Sequence, residues 1–307
     1  MCGRMRRYGW LLVVAVVTMW VLNACRVGTG FEGCPEGCAV DRERREGPLR
    51  ILSLNMLHGF PRFQHLQQRL DLIAQEIRRH DADIVCLQEV PWTPHLGGAA
   101  QYLGEATGLN HLYLRANGSR WAILFEEGEA ILSRYPLRDV IFAELQPQAG
   151  FFEHRVVLGA TAVTPWGEAR VFVTHLTNGA PEVNEAQTES LMRFATASGN
   201  EITILAGDFN ASEDSPQIQV MSKKGLDVYR TLHPDTEGFT CCVGDLSSGP
   251  SEPLEERIDY VFLLPANQDH SRVVSCEQVL NQPFRVDGGW QWASDHIGLL
   301  TAIALAQ

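Results

Sequence analysis

The sequence predicts one mixed α/β domain with a large share of β-strand over residues 49–307. Short apolar runs that end in polar residues recur along this region, as expected for the strands of a sheet. Several of these runs show little alternation, which indicates sheets covered on both faces by other layers. The region has no internal repeat and no break in composition, so a single domain is the simplest interpretation.

Each predicted element follows from a local pattern. A buried strand is predicted at 49–54, ending at Asn55. A helix is predicted at 64–80 because leucine and isoleucine recur there at helical spacing on one face. Pro165-Trp166-Gly167 is expected to form a hairpin turn. Further strands are expected at 83–87, 121–125, 129–133, 154–163, 169–174, 202–206, 258–263, 271–280 and 297–305, with a second helix at 182–197.

The N-terminus is typical of an export signal. Residues 1–7 are basic, and Trp10–Leu22 is almost entirely apolar. A bilayer span needs about 20 residues, so this length suits a signal peptide, with an uncleaved membrane anchor as the alternative. Leu22-Asn23-Ala24-Cys25 resembles a bacterial lipobox. We therefore expect a signal peptide at 1–24, lipidation of Cys25, a tether at 25–48, and an exported, membrane-anchored lipoprotein of the cell envelope.

The charge of the chain disfavours nucleic acid as a partner. The formal net charge is −12, and removal of residues 1–24, which carry three arginines and no acid, would take it to −15. Nonspecific nucleic-acid binding depends on cations that neutralise phosphates, so such a surface repels nucleic acid on average. A local basic patch or bound divalent cations would override that average.

The cysteines are expected to form disulfides in an exported protein. Cys34 is predicted to pair with Cys38, and Cys276 with either Cys241 or Cys242. Cys86 lies in an apolar strand and is predicted to be a free thiol of the core.

Polar residues stand where the predicted strands end. The run Ile202–Ala206 stops at Gly207 and is followed by Asp208 and Asn210, which point to the same side of an extended chain. Strand ends of α/β proteins are common positions for catalytic residues because the strand is rigid and the loop is open. Asn55, Glu89 and His175 likewise end or follow a predicted strand. Asp295 and His296 open the strand at 297–305, and Asp259 lies at the start of the strand at 258–263.

These side chains suit phosphoester chemistry. Their oxygen donors are the ligands that Mg²⁺ or Mn²⁺ prefers, and such an ion would bind a phosphate oxygen and orient a water. The two histidines offer a base and a cation, and Asp259 is a candidate to orient the base. Attack by water is favoured because no serine or cysteine stands in a nucleophile elbow. The oxygen donors are Asn55, Glu89, Asp208, Asn210 and Asp295.

The ordered strand-end motifs resemble those of the endonuclease/exonuclease/phosphatase superfamily, which includes DNase I-like and sphingomyelinase-like proteins. The resemblance covers residues 49–305 and implies a four-layer α/β/β/α sandwich (DNase I-like). Its motifs are Leu52-Ser53-Leu54-Asn55, Ile84-Val85-Cys86-Leu87-Gln88-Glu89, Gly128-Glu129-Ala130-Ile131-Leu132-Ser133-Arg134-Tyr135-Pro136, Thr174-His175-Leu176, Gly207-Asp208-Phe209-Asn210, Arg257-Ile258-Asp259-Tyr260 and Ser294-Asp295-His296.

The resemblance implies a role for each site residue. It implies metal binding by Glu89, with Asn55 and Asp295 beside it. It implies that His175 contacts the phosphate, and it leaves open whether the base is Asp208 or His296. The remaining catalytic assignments are Asp208 and Asn210, which orient water and phosphate, and Asp259, which pairs with His296.

The leading hypothesis is an exported, Mg²⁺- or Mn²⁺-dependent phosphoester hydrolase, specifically a phosphodiesterase. We expect its substrate to be a small phosphorylated molecule or a phospholipid headgroup. The alternatives are an Mg²⁺-dependent nuclease and a non-catalytic binding lipoprotein on the same scaffold. Trp290 and Trp292 are expected either to line a substrate cleft or to pack in the interior.

Overall fold

The computed structural model describes residues 10–18, 26–40, 47–197, 202–265 and 272–305. The predicted lipidation site Cys25 and most of the predicted signal peptide lie outside these ranges. Residues 10–18 form helix α1, whose apolar side chains are exposed. Within the described ranges, no helix is both long and apolar enough to cross a membrane.

The strands form two large sheets and one small hairpin. The first sheet has the order β1-β5-β6-β3-β2-β16-β13, with β4 beside β3, and the second has the order β11-β12-β10-β9-β8-β7. The hairpin pairs β14 with β15. The strands are β1 (Glu32–Cys34), β2 (Leu49–Asn55), β3 (Ile84–Thr93), β4 (Gly97–Gly98), β5 (Asn110–Ser119), β6 (Phe125–Ser133), β7 (Leu137–Glu144), β8 (Val156–Thr164), β9 (Gly167–His175), β10 (Thr203–Asp208), β11 (Leu226–Asp227), β12 (Asp259–Leu264), β13 (Val273–Val279), β14 (Phe284–Val286), β15 (Gly289–Gln291) and β16 (Gly298–Ile303).

Helices cover the outer face of each sheet and complete four layers. Leu70 and Ile73 of α2 pack with Val85 of the first sheet, and Leu191 of α4 packs with Leu205 of the second. The predicted four-layer α/β/β/α sandwich is confirmed. The helices are α2 (Leu66–Arg79), α3 (Ala99–Thr107), α4 (Pro181–Thr196), α5 (Pro216–Lys224) and α6 (Val228–Leu232).

Apolar side chains fill the space between the two sheets, in addition to the apolar layers between each sheet and its helices. This explains why the strands have apolar residues on both faces. In β10, Ile204 enters the core between the sheets, whereas its neighbour Leu205 enters the core under the helices. Successive strand residues point to opposite faces, so a strand between two apolar layers needs apolar residues at every position. Burial of both faces fixes the position of the strand ends.

Parallel pairs in each sheet bring the predicted site residues to one edge of the sandwich. Strand β2 runs parallel to β3, so Asn55 lies opposite Gln88, the residue before Glu89. Strand β9 runs parallel to β10, with His175 opposite Asp208. The carboxyl ends of parallel strands lie at the same edge of their sheet.

Part of the segment predicted to be a tether packs on the domain. Strand β1 pairs with β5, and the backbone N–H of Gly28 donates to the carbonyl oxygen of Arg115 at 2.9 Å. The backbone N–H groups of Cys38 and Ala39 both donate to Asn110 Oδ1. Ordered structure therefore begins well before residue 49.

The cysteine predictions are confirmed in part. Cys34 pairs with Cys38, and Cys86 is a buried free thiol. The predicted pairing of Cys276 is wrong, because Cys241 bonds to its neighbour Cys242 and Cys276 is a free thiol in the core.

Residues 121–125 differ from the sequence prediction. The apolar run Trp121–Leu124 lies in a turn between β5 and β6, and the strand begins at Phe125. Trp121 is 79% exposed, so this run is not covered by the core.

Candidate active site

The two sheets meet at the predicted site through the side chain of Asn55. From the end of β2, its Nδ2 atom donates to Glu89 Oε1 at 3.2 Å in the same sheet and to Asp208 Oδ2 at 3.0 Å in the other sheet. The amide orientation is fixed by its other end, because Asn55 Oδ1 accepts from the backbone N–H of Leu57. Asn55 therefore holds a carboxylate of each sheet in place.

Asp208, Asp259 and His296 form a buried cluster. His296 Nδ1 lies 2.9 Å from Asp259 Oδ2, and His296 Nε2 lies 3.7 Å from Asp208 Oδ2. Strand pairing explains the arrangement, because Asp208 and Asp259 lie opposite each other in antiparallel β10 and β12. Their side-chain oxygens and a ring nitrogen of His296 all lie within 4.8 Å of one another. The structure thus brings together three predicted site residues that are at least 37 positions apart in the sequence.

The electrostatics of this cluster favour a charged imidazole beside a carboxyl group that titrates near neutrality. Burial, together with repulsion from Asp259, raises the pKa of Asp208 to about 7. Burial alone would lower the pKa of His296. Asp259, Asp208 and Asp295 outweigh that effect and raise the pKa of His296 well above its ordinary value.

His175 and Asn210 form a second part of the site. Asn210 Nδ2 donates to the carbonyl oxygen of Leu176 at 3.0 Å and lies 2.8 Å from His175 Nε2. A nitrogen that accepts an amide hydrogen carries no proton, so this neutral imidazole bears its proton on Nδ1. Burial, then the positive charge of Arg155, lowers the pKa of His175 well below its ordinary value. In this arrangement the buried His175 orients Asn210.

Asp208 is also fixed from the backbone. The N–H of Asn210 donates to Asp208 Oδ1 at 2.8 Å. This bond requires the chain to turn sharply after the strand, and Asn210 accordingly has φ of 46°, a left-handed conformation that asparagine tolerates. Both oxygens of Asp208 therefore have defined donors.

Glu89 reaches the site through an irregularity in β3. The pairing of β3 with β6 shifts register between Leu87 and Val90, and Glu89 has φ of 54°. A β-bulge of this kind changes the direction in which a side chain points near the end of a strand pair. Glu89 Oε2 accepts from the backbone N–H of His58 at 3.1 Å, and its Oε1 accepts from Asn55.

Asp295 completes the predicted metal-binding set. Burial raises the pKa of Asp295, and the negative charge of Glu89 adds to the effect. Its position is tied to Asn55 through Ser294, whose hydroxyl donates to the backbone carbonyl of Asn55 at 2.6 Å. The predicted ligands Asn55 and Glu89 thus lie on neighbouring strands of the first sheet, and Asp295 lies in the loop just before β16.

The donor set fits a hard divalent cation. The clustered side chains offer carboxylate and amide oxygens, and repulsion between buried carboxylates is what a bound cation relieves. Asp259 Oδ1 is buried with no hydrogen-bond partner among the described residues, which leaves part of the negative charge in the site uncompensated.

The sequence prediction missed two acids and a cation beside the site. Glu127 and Glu129 lie in β6, and their electrostatic coupling to Arg155 and Glu89 places them around the same centre. Burial, then repulsion from Glu127, raises the pKa of Glu129 well above its ordinary value. The available signal was the occurrence of acids in an otherwise apolar strand, Phe125–Ser133.

The prediction also missed Arg69, which holds the loops that carry the site. From α2 its buried guanidinium donates to the carbonyl oxygens of Met56 at 2.9 Å, Leu57 at 2.9 Å and Ala293 at 3.2 Å. Burial lowers the pKa of Arg69 to about 10, against the opposing effect of Asp295 and Glu89. One side chain thus joins the loop after β2 to the loop before β16.

The two tryptophans near Asp295 have different environments. Trp292 is buried in a small cluster with Val243 and Ile297, and its Nε1 donates to the carbonyl oxygen of Ser248 at 3.1 Å. Trp292 therefore packs in the interior and does not line a substrate cleft. Trp290 stacks on the guanidinium of Arg285 at 3.7 Å from the ring centroid.

Two stacked sheets that present this set of acids, amides and histidines at one edge agree with the architecture that the family resemblance implies. The chain belongs to the Endonuclease/Exonuclease/phosphatase family, whose sequence profile matches residues 52–296. Members of this family are phosphoester hydrolases.

Relatives in sequence and structure agree with this assignment. Protein angel of Drosophila melanogaster is 29% identical over 230 residues, which are 69% of this chain and 62% of that protein. The chain thus spans less than two thirds of the length of this curated relative.

Two solved structures with low sequence identity show the same fold. D. rerio TDP2, complexed with single strand DNA product, superposes with a TM-score of 0.63 at 17% identity, over 83% of this chain and 98% of that chain. The mannosyl-6-phosphatase Bt3783 of Bacteroides thetaiotaomicron VPI-5482 superposes with a TM-score of 0.60 at 18% identity, over 83% of this chain and 99% of that chain.

Proposed function

We propose that the protein is a divalent-metal-dependent phosphodiesterase in which Asp208 is the general base. The observation that carries the proposal is the Asp208–His296–Asp259 cluster, in which a charged imidazole lies 3.7 Å from a carboxylate held by two donors. A general base works best when its pKa lies near the operating pH, and the pKa of Asp208 is about 7.

In the proposed reaction Asp208 accepts a proton from a water whose oxygen bonds to phosphorus as the bond to the leaving oxygen breaks. His296, held in its orientation by Asp259, carries the positive charge that stabilises the phosphoryl oxygens. The neighbouring carboxylates raise the pKa of His296 well above its ordinary value, which favours the charged imidazole and supports Asp208 as the base. The two side-chain N–H groups of Asn210 are taken by His175 and by the carbonyl oxygen of Leu176, so Asn210 orients the attacking water through its side-chain oxygen. Direct contact of His175 with the phosphate remains an expectation from the family resemblance.

Glu89, Asn55 and Asp295 would hold the divalent cation, Mg²⁺ or Mn²⁺. When bound, the cation supplies charge neutralisation of the phosphate and the leaving oxygen. Asn55 would present its amide to the cation and to Asp208 at once, which couples the two halves of the site. These three residues offer oxygen donors and no thiolate, in keeping with the choice of ion.

A phosphodiester in a small molecule or phospholipid headgroup is the favoured substrate. The net charge of −12 opposes a polyanionic partner. Nuclease activity is the second candidate, and its support is that the similar protein D. rerio TDP2 was solved with single strand DNA product. Because one of the similar structures is a mannosyl-6-phosphatase, a phosphomonoester is the appropriate substrate for comparison.

We also propose that the protein is an exported lipoprotein acylated on Cys25. The support is the basic and apolar pattern that precedes the lipobox-like Leu22-Asn23-Ala24-Cys25. Incorporation of radiolabelled palmitate is expected in the wild type and not in Cys25→Ala. Labelling that survives in Cys25→Ala would exclude this assignment.

The enzymatic proposal is tested by hydrolysis of bis-p-nitrophenyl phosphate, with p-nitrophenyl phosphate and DNA alongside. We expect activity with Mg²⁺, loss of activity in EDTA, and recovery when Mg²⁺ is restored. His296→Ala is expected to lower kcat by roughly 10²-fold or more, since a residue that stabilises transition-state charge is removed. The matched control is His80→Ala at the end of α2, which should retain the wild-type rate. Activity that is indifferent to EDTA would refute the metal-dependent mechanism.

A further inference from the structure

Six large apolar side chains on three loops are each at least 45% exposed. We call this set the apolar rim. Trp121 is 79% exposed, and Phe152 is 68% exposed. The apolar rim consists of Phe60, Trp121, Ile123, Leu124, Phe151 and Phe152.

The first two loops of the apolar rim lie beside the catalytic edge of the first sheet. Trp121, Ile123 and Leu124 lie in the turn between β5 and β6, immediately before Phe125. Phe125 stacks on Phe60 at 4.5 Å between ring centroids. The ring of His58, whose backbone N–H donates to Glu89, also contacts Phe125 at 5.2 Å.

The third loop reaches the same edge from the second sheet. Phe151 and Phe152 lie between β7 and β8, next to Glu153, which accepts a hydrogen bond from Thr177 just beyond the end of β9. The following residue, His154, joins this loop to the first sheet, because its backbone N–H donates to Asn117 Oδ1 at 2.7 Å. Asn117 in turn donates to the site residue Glu127. The apolar rim therefore borders the site from both sheets.

The N-terminal segment leaves the domain at this same edge. Going backward from Cys34 to Glu32, the chain passes along β5 from His111 to Tyr113. Gly28 then pairs with Arg115, further toward the end of β5 and the turn that carries Trp121. Arg120, at the start of that turn, binds Glu32 of β1 at 3.0 Å.

This topology places the proposed anchor close to the apolar rim. Gly28 lies three positions after Cys25, and an extended chain spans about 3.3–3.6 Å per residue. A lipid on Cys25 would therefore lie within roughly 10 Å of Gly28, on the side of β5 that leads to the turn carrying Trp121. An anchor that emerged at the opposite edge would instead face the site away from the membrane.

We propose that the apolar rim docks on a lipid bilayer and that the site acts on phosphodiester headgroups at the bilayer surface. The proposal rests on the proposed function and names the substrate class of the same site. Aromatic and aliphatic tips around a polar site suit the boundary between headgroups and acyl chains, where Trp and Phe gain from burial of their apolar parts. Because its net charge is −12, the protein is not attracted to an anionic lipid surface. Docking therefore depends on apolar contacts, and a bilayer of zwitterionic lipid is sufficient for it.

The first experiment reads the position of Trp121 directly. The full chain is reconstituted into vesicles of phosphatidylcholine brominated on its acyl chains, in EDTA so that the lipid is not consumed. We expect bromine to quench Trp121, so Trp121→Phe should lose a share of the total quenching. The control is Trp166→Phe in the turn between β8 and β9, at the opposite end of β9 from His175, which should lose none. Equal quenching in wild type and Trp121→Phe would overturn the docking.

The second experiment tests the consequence for catalysis. The triple variant Trp121→Ser, Ile123→Ser and Leu124→Ser is expected to release headgroups from phosphatidylcholine vesicles at least about tenfold more slowly than wild type. Its hydrolysis of bis-p-nitrophenyl phosphate should be unchanged, which also shows that it folds. The control Val220→Ser with Val274→Ser removes exposed apolar residues from α5 and β13 and should act on vesicles like wild type.

The outcomes separate the two proposals. Wild-type activity on bis-p-nitrophenyl phosphate with no headgroup release from vesicles would overturn the substrate class and leave the phosphodiesterase intact. Loss of activity on every substrate would refute the proposed phosphodiesterase activity. In that case the quenching of Trp121 would still show whether the apolar rim docks on the bilayer. Absence of quenching, combined with binding of a single-stranded oligonucleotide that the triple variant loses, would assign the apolar rim to nucleic acid and overturn its docking on lipid.

Discussion

The Glu129 carboxyl group is buried in β6 without a hydrogen-bond partner for Oε2 among the described residues. Burial, then Glu127, raises its pKa well above the ordinary value, so the folded protein holds a proton that the unfolded chain releases. The folded state then binds more protons than the unfolded state once the pH exceeds the unfolded pKa. The free energy of unfolding therefore falls as pH rises from about 4.5 toward the folded pKa.

Replacement of Glu129 by Gln should remove this pH dependence. Without metal, in EDTA, we expect Glu129→Gln to gain stability relative to wild type by at least about 1 kcal/mol between pH 5 and pH 8, since each unit of pKa shift contributes about 1.4 kcal/mol. The measurement is urea unfolding at several pH values. Glu185→Gln, which changes an exposed acid of α4, should follow wild type at every pH. A constant difference between Glu129→Gln and wild type would contradict the buried, protonated carboxyl group.

Sequence alone found the residues that end strands and missed those that lie within one. Asn55, His175 and Asp208 are marked by the change from an apolar run to a polar residue. Glu127 lies just before the Gly128–Pro136 motif and Glu129 lies within it. The position of Glu127 beside the site depends on the antiparallel register of β5 with β6, which places it opposite Asn117. Register follows from long-range pairing, so the pattern of one strand does not reveal it.

At the scale of elements, the close pairing of β9 with β10 sets the distance between His175 and Asp208. Gly207 lies opposite Thr174, one residue before this pair. A side chain at position 207 would collide with the carbonyl oxygen of Thr174, so only glycine permits the observed spacing. The glycine that ends the apolar run is thus a packing requirement of the site.

Gly207→Ala should separate the two strands. We expect a loss of about 1–3 kcal/mol of stability from overpacking. We also expect kcat to fall by roughly 10²-fold, because displacement of a catalytic group by about 1 Å has that effect. Thermal unfolding and bis-p-nitrophenyl phosphate hydrolysis measure the two quantities. Gly30→Ala, where a Cβ meets no atom within 4 Å, is the matched control and should leave both unchanged. Wild-type kcat in Gly207→Ala would show that the spacing is not critical.

The predicted elements were correct where apolar residues are also buried. The helix expected at 64–80 occurs as α2, and the strand expected at 202–206 occurs as β10. The strand expected at 121–125 is wrong, because that apolar run is an exposed turn. An apolar run predicts a strand on the assumption that the core covers its side chains. That assumption does not hold for the residues of the apolar rim, which are exposed. Strands β5 and β7 were missed because polar residues interrupt their patterns.

At the scale of the whole molecule, the site joins the two sheets at their shared edge. Asn55 of the first sheet contacts Asp208 of the second, and Arg69 holds the flanking loops from the outer helix layer. Buried acids on both sides of this junction repel one another, as the raised pKa values of Asp208 and Asp295 indicate. A cation bound there would oppose that repulsion and hold the sheets together.

Mg²⁺ should therefore stabilise the folded protein independently of turnover. A ligand present at about 100 times its Kd stabilises by about 2.7 kcal/mol, which corresponds to a rise in Tm of roughly 5–10 °C for a domain of this size. Differential scanning calorimetry in EDTA and in excess Mg²⁺ measures the shift. Glu89→Gln removes a proposed ligand and should abolish most of the rise, whereas Asp235→Asn, an exposed acid, should retain it. A full rise in Glu89→Gln would exclude Glu89 as a ligand, and no rise in wild type would mean that the junction of the sheets does not bind the ion.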